Sequence, residues 1–189
     1  MGKLLSVVVS VYNEEAALRE FYAETKAVLL GLSPAWEYEL LFVNDGSADG
    51  SYGILKELAA LDKNVRVVNF SRNFGHEAAM IAGIDFASGD AVICMDADLQ
   101  HPPECIPKIL KKMEEGYEVI NMVRTRNTSA GLIKNVTSSA FYKLINRMSD
   151  VKFEANASDF FAVNAQAAQV LKENYREKIR FLRGYVQSI

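Results

Sequence analysis

Two aspartates separated by one residue follow an apolar run in the middle of the chain. Asp96 and Asp98 come directly after the run Ala91-Val92-Ile93-Cys94-Met95. Gln100 continues the same spacing, so the three side chains point to one side if extended geometry persists. Their carboxylate and amide oxygens suit Mg2+ or Mn2+, which commonly completes its coordination with phosphate oxygens and water. The spacing predicts that Asp96, Asp98 and Gln100 bind a metal ion and a diphosphate.

On spacing alone, the same two aspartates are equally consistent with a solvated turn that caps the helix expected after Pro102. A further carboxylate favours function, because Asp45 follows another apolar run in the segment Asn44-Asp45-Gly46-Ser47. A turn leading into a helix, with Ser47 or Asp49 as the N-cap, does not require Asp45. A carboxylate at a strand end can accept hydrogen bonds from a ribose or a base, so Asp45 is predicted to contact a nucleoside.

The sequence also excludes several classes of function. It contains neither a Gly-x-Gly-x-x-Gly loop nor a Walker phosphate loop, which argues against dinucleotide and NTPase sites. A formal charge of −3 argues against nonspecific binding to nucleic acid. Cys94 and Cys105 are the only cysteines, too few for a disulfide framework or a four-cysteine zinc site. They favour a reducing, cytoplasmic setting.

Five short, β-branched apolar runs alternate with segments of helical periodicity. The runs are Leu5 to Val11, Glu39 to Val43, Val65 to Phe70, Ala91 to Met95 and Val119 to Val123. Runs that are apolar on both faces suit parallel strands covered by helices, so the pattern predicts a doubly wound α/β sheet. The 189 residues fit a single domain, residues 1–189. Beyond Arg124 we expect a polar loop, a helix from Leu132 to Met148 and an irregular stretch around Asn156.

Polar segments follow four of these runs. They are Tyr12-Asn13-Glu14-Glu15, Asn44-Asp45-Gly46-Ser47, Ser71-Arg72-Asn73-Phe74-Gly75 and Asp96-Ala97-Asp98-Leu99-Gln100. Parallel strands place their carboxyl ends at one edge of the sheet, and ligands bind there where the strand order reverses. The four segments are therefore predicted to form one site.

In this order, the four segments resemble the family 2 glycosyltransferases with the GT-A fold, most closely the polyprenyl-phosphate hexosyltransferase branch. The most specific portions are Val11 to Glu15, Val43 to Ser47, Phe70 to Glu77 and Met95 to Glu104. The resemblance spans nearly the whole chain and implies a three-layer α/β/α fold with a mostly parallel central sheet. It also identifies Ser158-Asp159-Phe160 as the family's later acidic motif.

The resemblance implies a role for each matching residue. Those implied for donor binding are Tyr12, Asn13, Glu14, Asp45, Arg72 and Asp96, and those implied for metal and diphosphate are Asp96, Asp98 and Gln100. Asp98 and Asp159 are the implied catalytic residues, with Asp159 on the acceptor side. Two positions depart from the pattern: Ser10 stands where the family usually has proline, and Phe161 where this branch often has arginine.

The expected reaction is inverting transfer of a hexose, such as glucose, from a nucleotide sugar, such as a UDP-linked one, to a polyprenyl phosphate. A phosphate acceptor needs cations, which Arg124, Arg126 and Lys134 could supply. The resemblance favours Arg124 most, whereas a solvated surface loop explains Arg126 and Lys134 equally well. The alternatives are a soluble family member that acts on a saccharide hydroxyl, and a nucleotide-sugar binding module without activity.

The ends of the chain bear on its location. The apolar run near the amino terminus is interrupted at Tyr12 and predicts a strand rather than a signal peptide, and no run reaches the roughly 20 apolar residues of a spanning helix. The segment from Arg180 to Ile189 mixes cations with large apolar groups, as interfacial segments do. Because relatives usually continue into membrane helices, we expect this chain to lack them and to act at the inner face of the cell membrane. A homo-oligomer is left open.

Overall fold

The computed structural model describes residues 2–123, 157–174 and 182–188. The strands in these ranges are β1 Lys3–Val11, β2 Trp36–Asn44, β3 Val65–Asn69, β4 Ala91–Asp96, β5 Val119–Val123 and β6 Ala157–Asn164. The helices are α1 Leu18–Leu30, α2 Ser51–Leu61, α3 His76–Phe86, α4 Ile106–Glu114, α5 Ala165–Asn174 and α6 Leu182–Ser188, with a short 3-10 helix at Pro103–Cys105. The predicted helix from Leu132 to Met148 lies outside the described ranges.

The six strands form one sheet in the order β3-β2-β1-β4-β6-β5. Strands β3, β2, β1 and β4 are mutually parallel, whereas β6 runs antiparallel to both β4 and β5. The predicted α/β fold with a mostly parallel sheet is confirmed. The sequence did not predict β6, because its first residues are polar and its apolar run, which is buried on both faces, is only four residues long.

Helices cover both faces of the sheet and complete three layers. Alternate residues of β1 enter different cores, with Val7 and Val9 on one face and Val8 on the other. Helices α1, α2 and α4 pack on the first face, and helices α3, α5 and α6 on the second. Within the described ranges, no helix is both long and apolar enough to cross a membrane.

Helix α3 packs very closely on β1. A Cβ atom added at Gly83 would lie 2.1 Å from the Cγ1 atom of Val8, so only glycine allows this approach. The close contact fixes the first residue of the helix, His76, above the carboxyl end of β1. The predicted N-cap of α2 is wrong in position, because Gly50 is the N-cap, although the Asp49 carboxylate accepts the backbone N–H of Ser51, the first residue of the helix.

A buried carboxylate ties the opposite edge of the sheet together. Glu39 accepts hydrogen bonds from the Ser6 hydroxyl at 2.6 Å, from the backbone N–H of Ser88 at 2.9 Å and from the guanidinium of Arg66. The Ser6 hydroxyl oxygen in turn accepts the backbone N–H of Gly89. Burial alone would raise the pKa of Glu39, but these hydrogen bonds outweigh it and hold the pKa below its usual 4.5.

Replacing Glu39 with glutamine is expected to lower the free energy of unfolding at pH 7 by about 1 to 3 kcal/mol, through loss of charged hydrogen bonds. Because the folded pKa is lowered, the carboxylate stabilises the fold above pH 4.5 and loses this effect as the pH falls through the folded value. Urea unfolding at pH 7 and pH 3 measures the difference. Glu37→Gln, at an exposed position of the same strand, is the control. An equal loss for the two variants at pH 7 would contradict this role for Glu39.

Candidate active site

A cavity of about 250 Å3 opens at the carboxyl ends of β1 and β4. The strand order reverses between these two strands, since β2 and β3 continue on one side of β1 and β4 lies on the other. The described residues that line the cavity are Ser10, Tyr12, Glu14, His76, Asp96, Ala97, Asp98 and Asp159. The predicted sheet edge thus brings together residues from the first and fourth polar segments.

Strand β6 brings Asp159 into the same cavity. Because β6 is antiparallel to β4, with Phe161 opposite Cys94, its amino end lies beside the carboxyl end of β4. Phe161 itself is 2% exposed and packs in the core under α3 and α5. At this departure from arginine the chain therefore has an apolar core residue, and Phe161 is not among the residues that line the cavity.

The Asp96 carboxylate is held by two side chains to which the sequence assigned no role in the site. The Ser10 hydroxyl donates to Oδ1 of Asp96 at 2.9 Å, and the Nδ1 atom of His76 lies 2.9 Å from the same hydroxyl. Because the hydroxyl of Ser10 directs its proton at Asp96, its oxygen can accept a hydrogen bond from Nδ1–H of His76. Ser10, the other departure from the family pattern, therefore supplies a hydroxyl that proline would lack.

Asp98 reaches the cavity from a turn rather than from an extended strand. Strand β4 ends at Asp96, Leu99 has a φ of 59°, and the backbone N–H of Gln100 donates to Oδ1 of Asp98. The premise of persistent extended geometry is therefore wrong, and Gln100 is exposed and is not among the lining residues. Metal binding by Gln100 stays a prediction. Asp98 both lies in a turn and lines the cavity, so the turn interpretation and the functional interpretation do not exclude each other.

The cavity is strongly electronegative. Four carboxylates line it, from Glu14, Asp96, Asp98 and Asp159, and no lysine or arginine is among the described lining residues. The pKa of Glu14 is raised above its usual 4.5, first by burial and then by the negative charges of Asp98, Asp96 and Asp49. A cluster of hard oxygen donors that carry negative charge favours the binding of a divalent cation.

Asn13 connects the loop after β1 to the loop after β2. It has a φ of 57°, its backbone N–H donates to the hydroxyl of Ser47, and its side-chain oxygen accepts the backbone N–H of Ala48. Tyr12 beside it is 48% exposed and lines the cavity. Donor binding by these two residues stays a prediction, and Asn13 has a structural contact in either case.

Asp45 holds the loop that precedes α3. The carboxylate is 2% exposed, and its two oxygens accept the backbone N–H groups of Phe74 at 2.7 Å and Gly75 at 2.9 Å. Gly46 has a φ of 67°, and a Cβ atom there would lie 2.3 Å from the carbonyl carbon of Arg72. The guanidinium of Arg72 lies 4.8 Å above the ring of Phe74. Neither Asp45 nor Arg72 is among the lining residues, and their donor contacts stay predictions.

Three predicted acceptor residues, Arg124, Arg126 and Lys134, lie outside the described ranges. The residues that sequence reasoning missed are Ser10, His76 and His101. The two histidines are the only ones in the chain, and both fall within the motifs that carry the family resemblance. Their rarity and position are the signal that could have identified them.

The family model described as Glycosyl transferase family 2 matches residues 6–171. The chain belongs to glycosyl transferase family 2. It is 42% identical over 181 residues to the uncharacterized glycosyltransferase YkcC of Bacillus subtilis, covering 96% of this chain and 55% of that protein. It is 41% identical over 180 residues to the bactoprenol glucosyl transferase of Shigella phage SfV, covering 95% and 58%. The chain thus spans little more than half the length of these relatives.

Solved glycosyltransferase structures share the fold. The mannosyltransferase PcManGT from Pyrobaculum calidifontis, in complex with GDP-Man and Mn2+, has a TM-score of 0.62 at 16% identity, covering 90% of this chain and 47% of that one. Glucosyl-3-phosphoglycerate synthase from Mycobacterium tuberculosis, in complex with Mn2+, UDP-glucose and phosphoglyceric acid, has a TM-score of 0.60 at 21% identity, covering 88% and 58%. The GT-A fold that the sequence implied is confirmed.

Replacing Asp45 with asparagine is expected to lower the free energy of unfolding by about 1 to 3 kcal/mol, because an amide can accept only one of the two backbone N–H groups with its oxygen. Urea unfolding measures this change. A control that removes one carboxylate charge is Glu20→Gln, at an exposed position of α1. Unchanged stability together with lost nucleotide affinity would contradict the loop-holding role and leave Asp45 as a donor contact alone.

Proposed function

We propose that this chain is the catalytic domain of a metal-dependent, inverting glycosyltransferase that transfers glucose from UDP-glucose to a polyprenyl phosphate. The observation that carries the proposal is the cavity at the strand-order reversal. Four carboxylates line it, from the loop after β1, the end of β4 and the turn that follows it, and β6, and no lysine or arginine is among its described lining residues. A diphosphate is repelled by such a cavity unless a divalent cation lies between them.

Asp96 and Asp98 are the residues that would hold the ion. Both line the cavity, and the Ser10 hydroxyl directs one oxygen of Asp96. When bound, Mg2+ or Mn2+ neutralises the charge that develops on the leaving diphosphate. Two structural neighbours, solved in complex with Mn2+ and either GDP-Man or UDP-glucose, support this choice of ion and donor class.

Asp159 faces the cavity from the opposite strand and suits the acceptor side. A phosphate with a second pKa near 6 is largely dianionic at neutral pH, so it can attack the anomeric carbon without a strong base. Asp159 then orients the acceptor or stabilises the sugar, whose transition state has oxocarbenium character. The choice of glucose and of a lipid phosphate rests on the relatives named bactoprenol glucosyl transferases, at 41% identity. Such an acceptor would place the protein at a membrane surface.

Donor binding is expected to require metal. UDP-glucose with Mn2+, at a hundred times its dissociation constant, adds about 2.7 kcal/mol of stability, or roughly 5 to 10 °C in melting temperature for a domain of this size. UDP-glucose without Mn2+ is expected to give no shift. Differential scanning fluorimetry measures both.

Asp98→Ala is expected to abolish the shift, because it removes one of the two carboxylates that hold the ion. The control is Glu118→Ala, an exposed carboxylate beside the amino end of β5, which also removes one negative charge. A full shift without metal, or a full shift in Asp98→Ala, would refute the metal-bridged donor. A panel of UDP-, GDP- and dTDP-sugars identifies the nucleotide.

Asp159→Asn separates a lipid phosphate acceptor from a saccharide hydroxyl. With a phosphate acceptor, kcat for transfer from UDP-glucose to undecaprenyl phosphate is expected to fall by about tenfold or less, since no proton must be removed. A hydroxyl acceptor needs a general base, whose loss costs about 100- to 10,000-fold. UDP affinity measured by calorimetry should be unchanged in the variant. A loss larger than 100-fold with normal UDP affinity would contradict the orienting role and favour Asp159 as a general base, which a saccharide hydroxyl acceptor requires.

A further inference from the structure

His101 is buried between the carboxyl end of β4 and the amino end of β6. Its side chain is 3% exposed, and its ring stacks on Phe160 with centroids 5.2 Å apart and an angle of 26° between the planes. His101 is not among the residues that line the cavity. Any effect it has on the reaction must therefore pass through its neighbours.

The two ring nitrogens of His101 contact opposite sides of the site. Nδ1 lies 3.0 Å from the backbone nitrogen of Asp96 and accepts its N–H. In the neutral ring the proton is then on Nε2, which lies 3.1 Å from the hydroxyl oxygen of Ser158. The same oxygen accepts the backbone N–H of Phe160 at 3.2 Å. Asp159 lies between Ser158 and Phe160, so its backbone is held on both sides.

The ladder between β4 and β6 does not itself hold the two aspartates. The last pair in register is Cys94 with Phe161, two residues before Asp96 on one strand and two residues after Asp159 on the other. Beyond this pair, the strands are joined through the imidazole. The connection runs from the backbone of Asp96 through His101 to Ser158.

We propose that His101 is a positioning residue that fixes Asp96, on the donor side, relative to Asp159, on the acceptor side. The inference deepens the proposed function, and its kinetic test rests on that function. A rigid spacing matters because a displacement of about 1 Å between reacting groups can cost up to 100-fold in rate. Loss of the link is therefore expected to lower kcat and to leave donor affinity nearly unchanged.

Two single variants break the link at different atoms. His101→Asn keeps an acceptor near the Nδ1 position for the N–H of Asp96, but its side chain is too short to reach Ser158. Ser158→Ala removes the other end of the same connection. Each is expected to lower kcat about tenfold, with the KM for UDP-glucose changed less than about twofold. The double variant should be no slower than either single variant, because residues of one network are not additive.

Matched variants separate this link from a general loss of stability. Ser158→Thr keeps the hydroxyl and is expected to restore kcat to within about threefold of the unaltered protein. Ser88→Ala replaces an exposed serine near the amino end of β4 and should leave kcat unchanged. Multiplying losses in the double variant, or a Ser158→Thr protein as slow as Ser158→Ala, would overturn the proposal.

A second measurement needs neither substrate nor metal. In 15N–1H correlation spectra, Ser158→Ala is expected to shift the amide resonance of Asp96 through His101, and the same replacement in the His101→Asn background should not. An unmoved Asp96 amide in Ser158→Ala overturns the inference, and this comparison needs only the serine variant if His101→Asn fails to fold. If the unaltered protein transfers no glucose, the proposed function fails, and the amide shift alone decides the role of His101.

Discussion

The reversal of strand order at β1 is the constraint on which the site depends. Strands β2 and β3 extend from one side of β1, so α3 must cross over β1 before the chain can form β4 on the other side. The approach of Gly83 to Val8 makes that crossing close. The carboxyl ends of β1 and β4 and the first turn of α3 consequently meet around one cavity, which is where open α/β sheets bind ligands.

The same geometry concentrates negative charge. Carboxylates that lie far apart along the chain, from Glu14 to Asp159, line a single cavity, and the raised pKa of Glu14 reflects burial together with this charge. Like charges at short range repel each other, so such an arrangement favours the binding of a cation. Proteins retain unfavourable arrangements of this kind at functional sites, where a bound ion or substrate compensates them.

Several residues of the family motifs hold the backbone through hydrogen bonds, and not all of them face the cavity. The side chain of Asn13 accepts a backbone N–H of the neighbouring loop, and both oxygens of Asp45 accept backbone N–H groups before α3. Gly46 has a positive φ where a side chain would meet the backbone at Arg72. Motif membership therefore indicates proximity to the site, and the hydrogen bonds show which residues also position the loops.

The sequence by itself determined the sheet class and the edge at which the polar segments meet. It also predicted five strands, four of them at nearly their observed bounds. These features follow from local periodicity and from the rule that parallel strands end together. Only the tertiary structure decided the rest. Strand β6 begins with polar residues and has only a short apolar run, so the sequence alone does not reveal it. Its pairing with β4 brings Asp159 beside Asp96. The turn at Leu99 directs Asp98 and leaves Gln100 exposed, and the contacts of Ser10, His76 and His101 join residues distant in sequence, which no local pattern encodes.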